Sequence, residues 1–276
     1  METNHHSGDV LMEKFFQENT KFTIEEHIGG SLATDRHFHA LYEFYYLCQG
    51  EIAYFIDDKI YTVKKGDVII IPPNTIHKSI TLKNPKRKRI LFYLDKEFLQ
   101  EFPQAVDLLQ TEAAIFQISN QPRVQSIFTE LLTEFNEKSN TLMLKALICE
   151  LLILLNRQKT VSVLSESNVT SNRILDVVAY INEAYASELT LTAVANRFFM
   201  NPSYLSRLFK ENTGFTFSEY VNKYRIKKAI ELLFSTKQNI TEIALATGFN
   251  SSNHFCKTFK NIMGTSPLSY RKVHST

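Results

Sequence analysis

Four polar side chains of types that share binding sites occur in two short stretches of the first third of the chain. His37, His39 and Glu43 form the first stretch, and His77 belongs to the second. In an extended strand, residues two positions apart point to the same side, so His37 and His39 would face one direction. Neutral imidazoles with one carboxylate suit a divalent transition metal. The same groups can also hydrogen-bond the hydroxyls of a sugar-like molecule, so both occupants are open at this point.

The chain around these residues predicts short antiparallel strands. From Phe22 to about Tyr93, short apolar or alternating runs are separated by turn signals. These signals are Gly50, Asp57-Asp58, Lys65-Gly66-Asp67 and Pro72-Pro73. Repeated short strands with hairpin turns predict an antiparallel barrel or jelly roll. Inside such a barrel the four polar side chains would converge.

The spacing of the polar residues resembles the two cupin motifs, whose histidines and glutamate meet inside a barrel. The pattern is His37-x-His39-x3-Glu43-x6-Gly50, then Gly66-x5-Pro72-x4-His77. It departs from the family at Gly30, one position too early, at Asn74, where a glycine is usual, and at Thr81, where an asparagine is usual.

We expect the barrel's polar centre to bind a small organic effector, with Tyr45 beside the four motif residues and with no cofactor favoured. A divalent transition metal on His37, His39, Glu43 and His77 is the alternative. The basic run from Lys86 to Arg89 is expected to be a solvated hairpin tip, and contact with DNA or an anion is its alternative.

One helical pattern occurs twice in the last third of the chain. The first copy runs from Leu191 to Gly214 and the second from Ile240 to Gly264. Each predicts two short helices joined by a tight turn, which is a helix-turn-helix. Ala195 and Ala244 are 49 positions apart, whereas Phe209 and Phe259 are 50 apart. The second turn is therefore predicted to be one residue longer.

The second helix of each copy leaves one face free for DNA. That face carries side chains that reach base edges and phosphates: Ser203, Ser206, Arg207 and Lys210 in the first copy, and Ser252, Asn253, Cys256, Lys257 and Lys260 in the second. A helix over Phe217 to Phe234 would span roughly 27 Å. This length could hold two recognition helices in successive major grooves, since a turn of B-DNA is roughly 34 Å.

The segment from about Asn172 to Lys272 closely resembles the DNA-binding domain of AraC/XylS-type transcription regulators. The matching residues are Leu189, Leu191, Ala195, Tyr204 to Lys210, Arg225, Ala229, Leu232, Leu233, Ile240, Ile243, Ala244, Gly248, Phe249, Phe255, Phe259, Lys260 and the closing stretch Gly264 to Arg271. Phe199 departs from the pattern, because Gly is frequent there and Phe adopts left-handed dihedrals only at a cost. The first turn is therefore expected to differ in detail.

The charge distribution agrees with this resemblance. From Ser171 onward, 13 Lys and Arg face 7 Asp and Glu, a net charge of +6, although the whole chain carries only +2. A basic half within a nearly neutral chain indicates a nucleic-acid partner.

Between the two regions the pattern becomes helical, from Asp95 to Asn156. Leu142 to Leu155 is apolar nearly all round and must be covered, either by its own barrel or, as the resemblance implies, by a second copy in a homodimer. We therefore expect an α+β chain of two domains. A cupin-like β-barrel with following helices occupies 1–156, a linker 157–171, and an all-α tandem helix-turn-helix domain 172–276.

Three scattered cysteines imply no disulfide framework. The N-terminus lacks the apolar core of a signal peptide, and the apolar run is too short for a membrane span. These features predict a cytoplasmic protein. We expect a transcription activator with promoter DNA, an effector such as a sugar or sugar derivative, and RNA polymerase as partners. A metal-dependent cupin enzyme fused to a DNA-binding module and a ligand-independent regulator are the alternatives.

Overall fold

The computed structural model describes residues 22–28, 38–80, 87–100, 113–118, 121–138, 140–158 and 169–274. His37, Gly30 and Thr81 lie outside these ranges, so their predicted roles stay predictions.

The N-terminal half contains two antiparallel sheets. Its strands are β1 Phe22–Ile28, β2 Tyr42–Gln49, β3 Glu51–Ile56, β4 Lys59–Lys64, β5 Asp67–Ile71, β6 His77–Ile80, β7 Lys88–Leu94 and β8 Ala114–Gln117. One sheet has the order β1-β7-β2-β5-β8, and the other has the order β4-β3-β6. The strands predicted from alternation and turn signals in 43–71 are confirmed.

Because side chains alternate along each strand, the two faces of the larger sheet belong to two separate hydrophobic clusters. In β2, Tyr45 and Leu47 point into the space between the sheets, where they meet Tyr54 and Ile56 of β3. The intervening residues Phe44 and Tyr46 point to the outer face of the larger sheet. The interior of the barrel is therefore a separate cluster from the core beneath the helices.

Helices cover the outer face of the larger sheet. They are α1 Lys96–Gln100, α2 Pro122–Thr133, a π-helical turn at Glu134–Lys138, and α3 Thr141–Asn156. The buried leucines of α3 pack on this face, so the barrel covers much of the apolar run, as one of the two alternatives predicted. Strand β8 was missed, because its four residues lie in a segment predicted to be helical and pair with the distant β5.

The C-terminal half is entirely helical in the described residues. Its helices are α4 Val169–Ala184, α5 Leu191–Arg197, α6 Pro202–Thr213, α7 Phe217–Ser235, α8 Ile240–Ala246, α9 Ser252–Met263 and α10 Pro267–His274. Side chains that accept hydrogen bonds from the first-turn amides fix most of the helix starts: Thr190, Asn201, Thr216, Asn239 and Ser251. Helix α4 begins within the segment predicted as linker.

The outer face of the smaller sheet packs on the helical half. Phe38, Phe55 and Ile76 of the barrel belong to the same core as the C-terminal helices. The order of layers is therefore helices, larger sheet, barrel interior, smaller sheet and C-terminal helices. No helix in the described part of the chain has the length and apolar character needed to cross a membrane.

Candidate nucleic-acid interface and effector site

Helices α6 and α9 are amphipathic and present equivalent faces. Helix α6 buries Leu205, Leu208 and Phe209, and α9 buries Phe255 and Phe259. Of the residues predicted to contact DNA, six are exposed: Ser203, Arg207, Lys210, Asn253, Lys257 and Lys260. Ser206, Ser252 and Cys256 are half-buried, and Cys256 packs against the core. The exposed set is basic and lies on one side of each helix.

Two further exposed residues on these faces were missed. Tyr204 and His254 hold the same position in the two copies, 50 residues apart. The Arg207 guanidinium lies 5.7 Å from the Tyr204 ring centre, and the His254 ring contacts Phe249 edge-on. Superposing the two copies position by position would have found the pair.

The two turns share a left-handed residue at the same place, so the expectation that Phe199 would make the first turn differ at that position is wrong. Phe199 adopts a left-handed conformation with φ 54°, and Gly248 adopts φ 81°. The amide after each donates to the carbonyl of the equivalent alanine, Met200 to Ala195 at 2.8 Å and Phe249 to Ala244 at 2.9 Å. The caps that follow, Asn201 and Ser251, confirm that the second turn is one residue longer.

Helix α7 joins the two units as a continuous rod. Its 19 residues correspond to roughly 28 Å at 1.5 Å per residue. A reciprocal capping box between Thr216 and Glu219 fixes its start. Tyr220, Ile226 and Ile230 bury one face of the rod in the core shared by both units. The relative position of the two recognition helices is thus set by a packed element.

The described residues of the predicted effector site meet inside the barrel. Nε2 of His39 lies 3.2 Å from Oε2 of Glu43, and Nε2 of His77 lies 3.1 Å from the same oxygen. The Tyr54 hydroxyl, which sequence reasoning missed, donates to Glu43 Oε1 at 3.1 Å. All four side chains are buried. Antiparallel pairing of β3 with β6 sets Ile56 opposite His77 in the smaller sheet, whereas Glu43 lies on β2 of the larger sheet.

The orientation of the two imidazoles calls for a positive charge between their Nε2 atoms and the Glu43 carboxylate. Nδ1 of His39 faces the Leu41 carbonyl at 3.1 Å, and Nδ1 of His77 faces the Thr75 carbonyl at 2.8 Å. If both Nδ1 atoms carry protons, both Nε2 lone pairs point at an acceptor oxygen. Burial raises the pKa of the Glu43 carboxyl, but His77 and His39 outweigh this and hold the pKa below its ordinary value. Shared protons or a cation would satisfy this arrangement.

The three ligand atoms also fit a metal ion. One atom from each of His39, Glu43 and His77 lies within 4.8 Å of the others. A backbone carbonyl behind each Nδ1 would orient the imidazole, as is common for metal-binding histidines.

A tyrosine and two arginines lie next to this cluster. The Tyr45 hydroxyl is buried without a hydrogen-bond partner, and burial raises its pKa to about 12. The Tyr45 and Tyr54 rings contact each other edge-on, with centres 5.3 Å apart. Arg87 and Arg89 are buried beside them. The predicted solvated tip at these two arginines is therefore wrong, because both residues lie on or next to β7 and face inward.

Comparison with known proteins defines the class. Residues 194–273 match the family described as a helix-turn-helix domain, and residues 27–152 match the AraC-like ligand binding domain. The chain belongs to the AraC family of transcription regulators and combines a DNA-binding domain with a ligand-binding domain.

Relatives agree along most of the chain. The HTH-type transcriptional activator RhaR of Mannheimia succiniciproducens is 25% identical over 98% of this chain and 96% of its own length. The Msm operon regulatory protein of Streptococcus mutans is 27% identical over 84% of each chain. The uncharacterized regulator YijO of Escherichia coli K12 is 34% identical, but the match spans only about half of it, 54%. The solved C-terminal domain of AraT from Geobacillus stearothermophilus is 35% identical over 41% of this chain and 91% of its own, with a TM-score of 0.38.

Proposed function

We propose that the protein activates transcription from promoter DNA in response to a small polyhydroxylated effector, such as a sugar or sugar derivative. The observation that carries the DNA role is the pair of exposed, basic recognition faces on α6 and α9, held by one rod. The effector role rests on the buried cluster of His39, Glu43 and His77, with His37 predicted to join it. The site signals and does not catalyse a reaction.

Specific DNA binding is tested with residues 169–276 and with the full chain. Fluorescence anisotropy would compare the chain's own promoter region with random duplex of equal length. We expect preference for the promoter and a steep loss of affinity with salt, because lysines and arginines displace counterions from phosphates. Equal affinity for both duplexes at physiological salt contradicts the role of a specific regulator.

The effector role is tested by His39→Ala in the full chain. Polar groups that converge in an apolar interior are typical of ligand pockets, and imidazole and carboxylate can satisfy ligand hydroxyls. We expect the variant to lose the thermal stabilisation that effector candidates give the wild type, with DNA affinity in their absence unchanged. Equal stabilisation of both proteins removes this cluster from the site.

The activator role draws support from two relatives that are named as transcriptional activators, RhaR and RhaS. It implies contact with RNA polymerase at the promoter. Transcription in vitro with purified polymerase tests this role. We expect more transcript with the protein than without it, and a decrease would make the protein a repressor.

A homodimer is supported by an exposed apolar stripe on α3. Leu142, Ala146 and Ile153 are exposed and Cys149 is half-buried. Their spacing of four, three and four residues is that of a coiled-coil seam. We expect Ile153→Asp to shift the full chain from dimer to monomer in sedimentation at micromolar concentration. Thr141→Asp, on an exposed position of the same helix outside this stripe, is the control and should remain dimeric.

A metal-dependent barrel is the second candidate, and the convergence of the His39, Glu43 and His77 ligand atoms favours it. A bound divalent metal would supply Lewis acidity. Metal analysis of protein purified without chelators separates the two candidates. Stoichiometric Fe, Mn, Zn or Ni that is lost in His77→Ala supports the metal. Turnover of a substrate by the metal-bound form would make the barrel an enzyme.

A further inference from the structure

The basic run at the start of β7 divides between the two faces of its strand. Lys88 points outward, where its side chain is 42% exposed and its Nζ lies 2.8 Å from Glu26 Oε1. Arg87 and Arg89 point inward, and each is only 3% exposed. Successive side chains of a strand point to opposite faces. Because β7 pairs with β2, the two guanidinium groups lie in the barrel interior.

The inward arginines have unsatisfied hydrogen-bond donors there. Nε, Nη1 and Nη2 of Arg87 are all buried without a hydrogen-bond partner, and so is Nη1 of Arg89. The Tyr45 hydroxyl beside them is unpartnered as well. Protein interiors rarely leave such groups unsatisfied, because an unpaired buried charge is strongly unfavourable. Arg87 in particular offers its whole donor fork to something the chain does not supply in its described residues.

The carboxylates of the described barrel interior are engaged elsewhere. Glu43 is surrounded by His39, His77 and Tyr54. Glu25 Oε1 lies 2.6 Å from Nε2 of His27, a close contact without hydrogen-bond geometry, and Asp67 Oδ2 accepts a hydrogen bond from the Lys64 amide at 2.8 Å. Burial lowers the pKa of the Arg87 guanidinium, and the groups that act on it electrostatically are Tyr45, Arg89 and Tyr54. No carboxylate among the described residues forms an ion pair with Arg87.

We propose that Arg87, with Arg89 and the Tyr45 hydroxyl, binds an oxyanion group of the effector, a carboxylate or a phosphate. The guanidinium fork matches either group with two parallel hydrogen bonds. The neighbouring cluster of His39, Glu43 and His77 takes the hydroxyls of the same molecule. The effector is therefore a sugar acid or a sugar phosphate, not a neutral sugar. This inference rests on the proposed effector role of the barrel and narrows its ligand class.

The first test measures the ligand-free full chain with Arg87→Met. The thioether fills a similar space without a charge, so the variant should melt higher than wild type, on the order of 5 °C. Lys88→Met is the matched control, since it removes a cation from the same strand on the outer face, and it should melt unchanged or slightly lower. An Arg87→Met protein that melts at or below the wild-type temperature overturns the proposal, because its guanidinium would then be neutralised by the chain itself.

The second test adds anions to both proteins. Sodium acetate and sodium phosphate should raise the melting temperature of wild type above that in sodium chloride of equal ionic strength. In Arg87→Met only the smaller, general salting-out effect of these anions should remain. Galacturonate and gluconate, glucose 6-phosphate, and the neutral galactose and glucose then form the titration panel. We expect an acid or a phosphate to bind, and binding to be weaker by roughly 100-fold in Arg87→Met. If only the carboxylates or only the phosphates raise the melting temperature of wild type, that result identifies which oxyanion the site binds.

Absence of the anion site and absence of the effector role give different results in these experiments. Absence of protection by every oxyanion over chloride overturns the anion site. A neutral sugar that stabilises wild type and Arg87→Met equally also overturns it, yet leaves the effector role standing. Promoter binding by the same preparations is measured in parallel, and its loss in wild type would instead count against the regulator itself.

Discussion

The two helix-turn-helix units both turn at a left-handed residue but are fixed in place by different contacts. In the second unit the left-handed turn residue is Gly248, where an added Cβ would lie 2.7 Å from the Tyr185 carbonyl oxygen and 2.9 Å from that of Ala186. In the first unit the equivalent residue is Phe199, whose side chain is 95% exposed. The second turn therefore packs directly on the end of α4, while the first turn meets solvent.

The first unit has its close contacts at its other end, with the barrel. The Lys78 ammonium of β6 lies 4.9 Å from the Phe215 ring centre, and Phe55 of β3 contacts Phe215 and Tyr220 edge-on. The second unit's side touches the barrel through a hydrogen bond between Tyr270 and Asn74. Phe55 and Lys78 each follow a residue of the effector cluster, Tyr54 and His77. The first unit is therefore the one that packs on residues directly adjacent to the effector cluster.

The largest effect is expected at the glycine of the second turn. Gly248→Ala places a methyl against backbone oxygens in a conformation that L residues adopt only with strain. We expect a loss of about 2–4 kcal/mol in the free energy of unfolding of residues 169–276. Chemical denaturation followed by circular dichroism measures it.

The reciprocal substitution is the control for that comparison. Phe199→Gly removes strain from the folded state but adds freedom to the unfolded chain, so the net change should stay within about 1 kcal/mol. If the two substitutions change stability equally, the difference in packing between the turns does not control their tolerance.

The fold was predictable where the signal is local or repeated. The strands between Tyr42 and Ile71 follow from alternation and turn residues, and the two helix-turn-helix units follow from a pattern present twice. The features that could not be predicted from the sequence depend on non-local packing. Strand β8 forms only by pairing with β5, and four residues carry too little pattern to reveal it.

The site divides in the same way. The spacing of the motif residues predicted that Glu43, His39 and His77 meet, and the described residues do so. Arg87 and Arg89 were predicted to be solvated, because a run of four basic residues is usually a surface feature. Only the register of β7 against its neighbours shows that alternate members of the run face inward. Tyr54 was missed for a related reason, since its role comes from a cross-barrel contact with Glu43.

The next largest effect is expected on the first recognition helix. Arg207 is exposed on the free face of α6. If it pairs with a guanine edge, Arg207→Ala should weaken binding to the promoter by about 1–3 kcal/mol and relax base preference. Selection of sites from a random duplex library by each protein is the measurement. An unchanged consensus would remove Arg207 from base reading.

A smaller and more uniform effect is expected on the second recognition helix. Lys260 occupies the last turn of α9, where it is placed to contact phosphate. Lys260→Ala should weaken all duplexes alike and reduce the salt dependence of binding by about one counterion. Lys237→Ala, an exposed lysine between the units, is the control and should leave both quantities unchanged. A narrowed or altered consensus would assign Lys260 to base contact.

The smallest change in stability is expected at the contact between the two halves. This contact also tests most directly whether the barrel acts on the helix-turn-helix units. Lys227 Nζ on α7 lies 2.7 Å from Asp57 Oδ1, in the turn between β3 and β4. The Tyr220 hydroxyl donates to the Asp57 carbonyl at 3.1 Å. The ion pair is partly solvated, so Lys227→Gln should cost the full chain less than about 1 kcal/mol.

The same change should move the promoter affinity of the full chain toward that of residues 169–276 alone, because it weakens the contact between the barrel and the rod. Lys228→Gln, whose lysine pairs with Glu231 of its own helix, should leave that difference intact. If the two variants behave alike, the contact at Asp57 does not transmit the state of the barrel, and the two units differ in packing alone.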